Sequence, residues 1–253
     1  MKQVGPWRRS ALNPYDVLLS TVIALPLLGL FSNAQPIDNT APGIITIEGD
    51  LLISGLVPTL LPSFDASAIM TVTFPDPGPI LPGQNIPVQQ VATAPQVTIT
   101  PANSSVATTG NFTLMMVDSF PFGRNDSDRQ ILHWLANFAT LESDSPSCPS
   151  LNVSTDGPSA LVVTDYFPPA PPVGTGVHRY VIMLFDQPAS YSAPANLSTP
   201  NVGPDLFFHL QDFLSSSNLN MPIASMFFDV EAASNASVPT VSSSATHGLI
   251  KGS

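Results

Sequence analysis

Asp165-Tyr-Phe-Pro-Pro-Ala-Pro-Pro-Val-Gly-Thr-Gly-Val-His-Arg-Tyr-Val-Ile-Met-Leu-Phe-Asp-Gln187 passes from a proline-rich loop through two glycines into an almost unbroken apolar run. Proline cannot donate to a sheet ladder, so the loop resists strand formation until Val177. From His178 to Phe185 the residues are β-branched, aromatic or long and apolar, and they read as a strand covered on both faces. Gly174 and Gly176 permit backbone angles that other residues resist. His178, Arg179 and Tyr180 therefore emerge at a strand start, where side chains are held firmly and can still line a cavity.

A second segment has the same character. In Asp118-Ser-Phe-Pro-Phe-Gly-Arg-Asn-Asp-Ser-Asp-Arg-Gln-Ile-Leu-His133, an acid ends a strand, a loop carries Arg124 and Arg129, and a histidine enters the next strand. These two segments hold every arginine between residue 35 and the end of the chain, together with two of its four histidines. Asp118, His133, His178 and Tyr180 are candidates for one pocket, on shared chemistry rather than on spacing.

Working outward, strands are expected at 68–74, 96–100, 111–117, 131–139, 160–164, 178–185 and 226–230. For 131–139 and 181–185 periodicity alone leaves a buried helix open. Short helices are expected at 50–56 and 211–217. Irregular strand spacing with long proline-rich connections points to one mostly-β domain, placed at residues 35–232. Residues 233–253 are Ser/Thr-rich and polar, the composition of a disordered tail.

Residues 1–34 read as a signal peptide. Arg8 and Arg9 precede a 15-residue, largely apolar run from Val17 to Phe31, and Ser32-Asn-Ala34 offers small residues for cleavage. The run is short of the roughly 20 residues that cross a bilayer as a helix, so no stable membrane insertion is expected. Beyond residue 34 the chain carries 4 cations against 17 acids, a net charge of −13. That sign excludes a nucleic-acid partner, whose phosphates need a basic footprint. Secretion is supported separately by six Asn-x-Ser/Thr sequons, at Asn103, Asn111, Asn125, Asn152, Asn196 and Asn235. The lone Cys148 allows no internal disulfide, so the core alone must hold the fold.

The 165–187 stretch resembles the second signature block of the phosphatidylethanolamine-binding protein family. Gly174-Thr-Gly-Val-His-Arg-Tyr180 carries the resemblance, and Asp118 to Leu135 is similar to the first block in weakened form. Met70 to Asp76, Ala94 to Thr98 and Asn218 to Phe227 extend it over most of residues 45–230. The resemblance implies a large central antiparallel sheet, a smaller second sheet, a few short helices and a small anion-accepting pocket. It assigns ligand binding to Asp118, Pro121, His133, His178 and Tyr180, with Phe167, Pro168 and Pro172 as wall. The first block departs from the family pattern. Asp-Pro-Asp-x-Pro is here Asp118-Ser-Phe-Pro121, and the family's Trp and following His are Ile131 and Leu132. The chain also turns polar after Ala233, where animal members carry a helix near the pocket.

Arg179 alternates with the pocket residues to the other strand face, and is expected to pair with an acid such as Asp118 or Asp165. Arg124 and Arg129, flanking Asp126 and Asp128, are expected to be structural ion pairs that order their loop. No His-x-His or His-x₃-His spacing suggests a metal, and no cofactor is implied. Neither a Gly-x-Ser-x-Gly elbow nor a Cys-His block is present, so no catalytic residue is assigned and the chain is not read as an enzyme. The expected function is non-catalytic binding of a small anionic, phosphate-bearing ligand, such as a phospholipid head group, by a secreted glycoprotein. The alternatives are a secreted protease inhibitor or other protein-interaction module, and third an uncharacterised hydrolase.

Overall fold

The computed structural model describes residues 40–120, 129–144, 149–200 and 203–233. The expected signal peptide, Pro121, Arg124, Asn125, Cys148, Asn235 and residues 234–253 lie outside the described residues. Eleven strands are present among those described: β1 (Ala68–Phe74), β2 (Gly78–Pro79), β3 (Gln84–Asn85), β4 (Gln96–Pro101), β5 (Phe112–Asp118), β6 (Gln130–Glu142), β7 (Leu151–Ser154), β8 (Leu161–Thr164), β9 (His178–Asp186), β10 (Asp205–Phe208) and β11 (Ala224–Val230). The helices are α1 (Thr40–Ile53), α2 (Leu56–Thr59) and α3 (Leu210–Ser217).

The strands hydrogen-bond in the order β2-β1-β4-β7-β6-β5-β9-β11-β3, with β8 and β10 also paired to β6. The long β6 joins two sheets. Its far end pairs with β7 in the sheet that includes β1 and β4, while the rest pairs with β5, β8 and β10. Described pairings are antiparallel except β11 with β3. The architecture is thus mostly β, one curled sheet system with few helices.

The sheet centre, β5–β9–β11, is covered on both sides, which accounts for the unbroken apolar runs. Leu114, Met116, Tyr180, Ile182 and Phe228 enter one core with Val72 and Phe74. Met115, Val117, Val181, Met183 and Phe185 enter the other, against Leu51 and Leu56 from the helical segment and Phe213 and Leu214 from α3. Alternation along β9 thus feeds two cores with one strand.

Helix α1 begins well before the expected start at Asp50. Ile44, Ile47 and Leu51 lie at helical spacing and reach the second core, and Pro42 sits in the first turn, where its missing N–H costs nothing. The β-branched Ile44-Ile-Thr-Ile47 run concealed this, because such residues favour strands. The expected 50–56 helix is also interrupted: Gly55, at φ 72°, separates α1 from α2. Strands β2, β3, β7 and β10 have two to four residues each, too few for a pattern to register.

Phe228 is fully buried, edge-on to Phe74 at 5.4 Å and stacked on Tyr180 at 5.6 Å between centroids. Phe228→Ala is expected to cost about 3–5 kcal/mol, lowering the urea midpoint without changing the slope. Leu206→Ala, on the exposed face of β10, should stay within about 0.5 kcal/mol. Equal effects of the two substitutions would contradict this placement of the core.

Candidate functional site

Asp118 ends β5 directly opposite Tyr180 of β9. It is 2% exposed, and a carboxylate so buried must have its oxygens engaged. Oδ1 accepts from the Phe120 backbone N–H at 2.8 Å, and Oδ2 lies 2.7 Å from His178 Nδ1. A carboxylate only accepts, so Nδ1 of His178 carries a proton. Phe120 turns back sharply, with φ 59°, and its ring lies 5.9 Å from that of His178.

The other nitrogen of His178 faces the loop before β9. Nε2 is 2.8 Å from the Thr175 hydroxyl, which is itself 2.7 Å from the Pro172 carbonyl. The Thr175 N–H closes a turn onto the same carbonyl at 3.2 Å. Gly174, third residue of that turn, has φ 82°, the value a type II turn demands there.

His133 reaches the same place by a bulge. Val117 pairs with Leu132 and Met116 with Trp134, so His133 has no counterpart on β5. The extra residue turns its side chain toward β9, edge-on to Tyr180 at 5.1 Å. Its Nδ1 donates to the Phe167 carbonyl at 2.8 Å, and its own carbonyl accepts from the Phe167 N–H at 2.7 Å. Among the described residues Nε2 of His133 has no hydrogen-bond partner. Burial pushes the His133 pKa below the ordinary histidine value; the Phe167 bond and Asp118 oppose this, and His178 adds to it. Burial raises the Tyr180 hydroxyl, helped by the charge of Asp118 and a hydrogen bond with it.

Asp118, His133, His178 and Tyr180 are therefore brought together, all nearly fully buried. Phe167 stands against His133 at 5.5 Å and is 43% exposed, so it lies at the rim. Pro168 is half-buried next to it, and Pro172 is exposed and contributes its carbonyl. Thr175 is the polar contact that sequence reasoning missed. The signal was its place between two glycines, three residues before His178. A separate cavity of about 480 Å³ is lined by Pro58, Gln130, His209 and Asp212, and Asp118, His133, His178 and Tyr180 take no part in its wall.

The family model described as phosphatidylethanolamine-binding protein matches residues 76–228, more than half of the chain. The chain belongs to the phosphatidylethanolamine-binding protein family. A 26 kDa secreted antigen of Toxocara canis is 29% identical over 181 residues, covering 71% of this chain and 62% of the antigen. The carboxypeptidase Y inhibitor of Saccharomyces cerevisiae is 30% identical over 145 residues, covering 50% of this chain and 65% of the inhibitor. This family member thus spans less than two thirds of the length of either relative. Among solved structures, a carboxypeptidase Y inhibitor complexed with its cognate proteinase has a TM-score of 0.59 at 22% identity, covering 79% of this chain and 99% of that one. The likeness shows a shared fold.

On the reverse face of β9, Arg179 ties the site to its surroundings. Its guanidinium donates to the carbonyls of Ser54 at 2.6 Å, Phe120 at 3.1 Å and Ser119 at 3.3 Å. The Asp118–Phe120 turn is thereby fastened to the α1–α2 junction. Among the described residues, the acids whose charge acts on Arg179 are Asp229, its register partner on β11, and Asp118. Arg129 lies over the Phe207 ring at 4.9 Å. Of the described sequons, Asn103, Asn111 and Asn196 are exposed. Asn152 is half-buried on β7, with its amide donating to Asp144 at 2.7 Å.

Asp229 carries an unfavourable charge. Burial raises its pKa from 3.8 to about 6, against the pull of Arg179, and its Oδ1 is buried without a partner. Its folded pKa exceeds the unfolded one, so the native state binds more protons in between, and stability falls as pH rises from about 4 through 6. Asp229→Asn is expected to be more stable than wild type at pH 7, with the advantage gone by about pH 4. Urea unfolding at both pH values checks this; a less stable variant at pH 7 would show that attraction to Arg179 outweighs burial.

Proposed function

We propose that this protein binds a small anionic, phosphate-bearing group at Asp118, His133, His178 and Tyr180, without catalysis. The observation that carries this reading is Nε2 of His133, unpartnered among the described residues, beside the hydrogen-bonded Asp118–His178 pair. Asp118 holds His178 in one orientation, as Phe167 holds His133, so little rotamer freedom is lost on binding. Imidazole N–H groups and the Tyr180 hydroxyl can donate to phosphate oxygens, with Asp118 balancing the positive charge. A neutral His133 offers a lone pair instead, which suits a protonated phosphate oxygen or an ammonium group. The four residues include no serine or cysteine nucleophile, which supports a binding role over a hydrolytic one. The leader, the sequons and the relationship to a secreted antigen support a secreted glycoprotein.

Calorimetric titration with phosphorylethanolamine and with inorganic phosphate tests the reading and separates a head group from free phosphate. The expected result is binding that is lost, by tenfold or more (about 1.4 kcal/mol), in His178→Ala and in His133→Ala. Because burial disfavours protonated His133, an anion must restore that proton. Affinity is therefore expected to rise as pH falls below about 6.5, with proton uptake measurable in buffers of different ionisation enthalpy. Binding that persists in both alanine variants would overturn the assignment.

The second reading is protease inhibition, favoured by the relationship to carboxypeptidase Y inhibitor and by the likeness to that inhibitor bound to its proteinase. It predicts inhibition of carboxypeptidase Y that survives His178→Ala, measured by peptide hydrolysis. Absence of inhibition by the wild-type protein would exclude it for that enzyme.

A further inference from the structure

We propose that Thr175 gates the ligand site: its hydroxyl holds Nε2 of His178 in the empty protein and must release it before an anionic oxygen binds there. The proposal rests on the anion-binding reading above and adds a specificity-determining residue to it. Nδ1 of His178 is committed to Asp118 at 2.7 Å, so Nε2 alone is free to meet a ligand, and Thr175 Oγ1 occupies it at 2.8 Å. The two contacts leave the ring no unoccupied hydrogen-bonding nitrogen.

The hydroxyl has a second partner. It lies 2.7 Å from the Pro172 carbonyl as well as 2.8 Å from Nε2, and it has one proton for both. When Nε2 is bare, that proton points at His178. When Nε2 is protonated, the hydroxyl accepts from the ring and donates to Pro172. The second arrangement is the one an anion displaces, because a phosphate oxygen accepts as the hydroxyl oxygen did. Thr175 then keeps its bond to Pro172, so release leaves no donor stranded.

The local backbone suits such a movement. Thr175 stands between Gly174 at φ 82° and Gly176 at φ 84°, and a Cβ built on either would touch nothing within 4 Å. The turn is held by the backbone bond to Pro172 and by the Thr175 side chain. Val173, at its tip, is 64% exposed.

Thr175→Val removes the competing hydroxyl and keeps the shape, while Thr175→Ser keeps the hydroxyl. Titration of wild type and both variants with phosphorylethanolamine is expected to show about 3- to 10-fold tighter binding by Thr175→Val, with Thr175→Ser close to wild type. Long-range ¹H–¹⁵N spectra of the histidine rings, without ligand, should show a changed Nε2 environment at His178 in Thr175→Val only. Weaker or unchanged binding by Thr175→Val, with wild type binding normally, would overturn the gate and leave the anion reading intact. Binding by none of the three proteins would overturn the anion reading and the gate together.

Discussion

A carboxylate buried at the end of a central strand is tolerated only when its lone pairs are taken, since removing a charge from water costs several kcal/mol even after relaxation. Asp118 is in that position, and the geometry around it follows. One oxygen draws the Phe120 N–H back into a tight turn with positive φ, and the other takes His178 Nδ1. The Tyr180 hydroxyl completes the surroundings from across the β5–β9 pair. Meeting the needs of one carboxylate therefore fixes the orientation of the imidazole and leaves its second nitrogen as the variable contact.

The two faces of β9 divide the labour. His178 and Tyr180 face the site, while Arg179 binds the carbonyls of Ser54, Ser119 and Phe120 on the other side. A guanidinium suits this role because its planar donors reach several carbonyls at once. Asp229, the register partner of Arg179 on β11, feels the charge of that guanidinium, yet burial still raises its pKa. Among the described residues the four site side chains stand on strands β5, β6 and β9, and the Pro172–Gly176 turn supplies the Thr175 contact.

Much of this was legible in the residues, because the central strands are long and apolar. Ala68–Phe74 falls where its alternation places it, and His178 to Phe185 lies within one residue of β9. The convergence of Asp118, His133, His178 and Tyr180 agrees with the family resemblance. The bulge that aims His133 left no trace in composition, since it depends on the register between Met116–Val117 and Leu132–Trp134. Helix α1 was hidden by its isoleucines, whose intrinsic preference is overridden by packing against the second core. Thr175 went unread because a lone threonine in a glycine turn is silent until its hydrogen bonds are known.

In the proposed complex a phosphate-bearing group is held between His133 and His178 rather than elsewhere on the molecule. A crystal structure of the protein soaked in phosphorylethanolamine near pH 5.5 tests it most directly. The expected result is phosphate density within hydrogen-bonding distance of Nε2 of both histidines, with the Thr175 hydroxyl turned from His178 to Pro172. Density in the cavity beside Gln130 and His209, or an empty site with Thr175 still on His178, would contradict it.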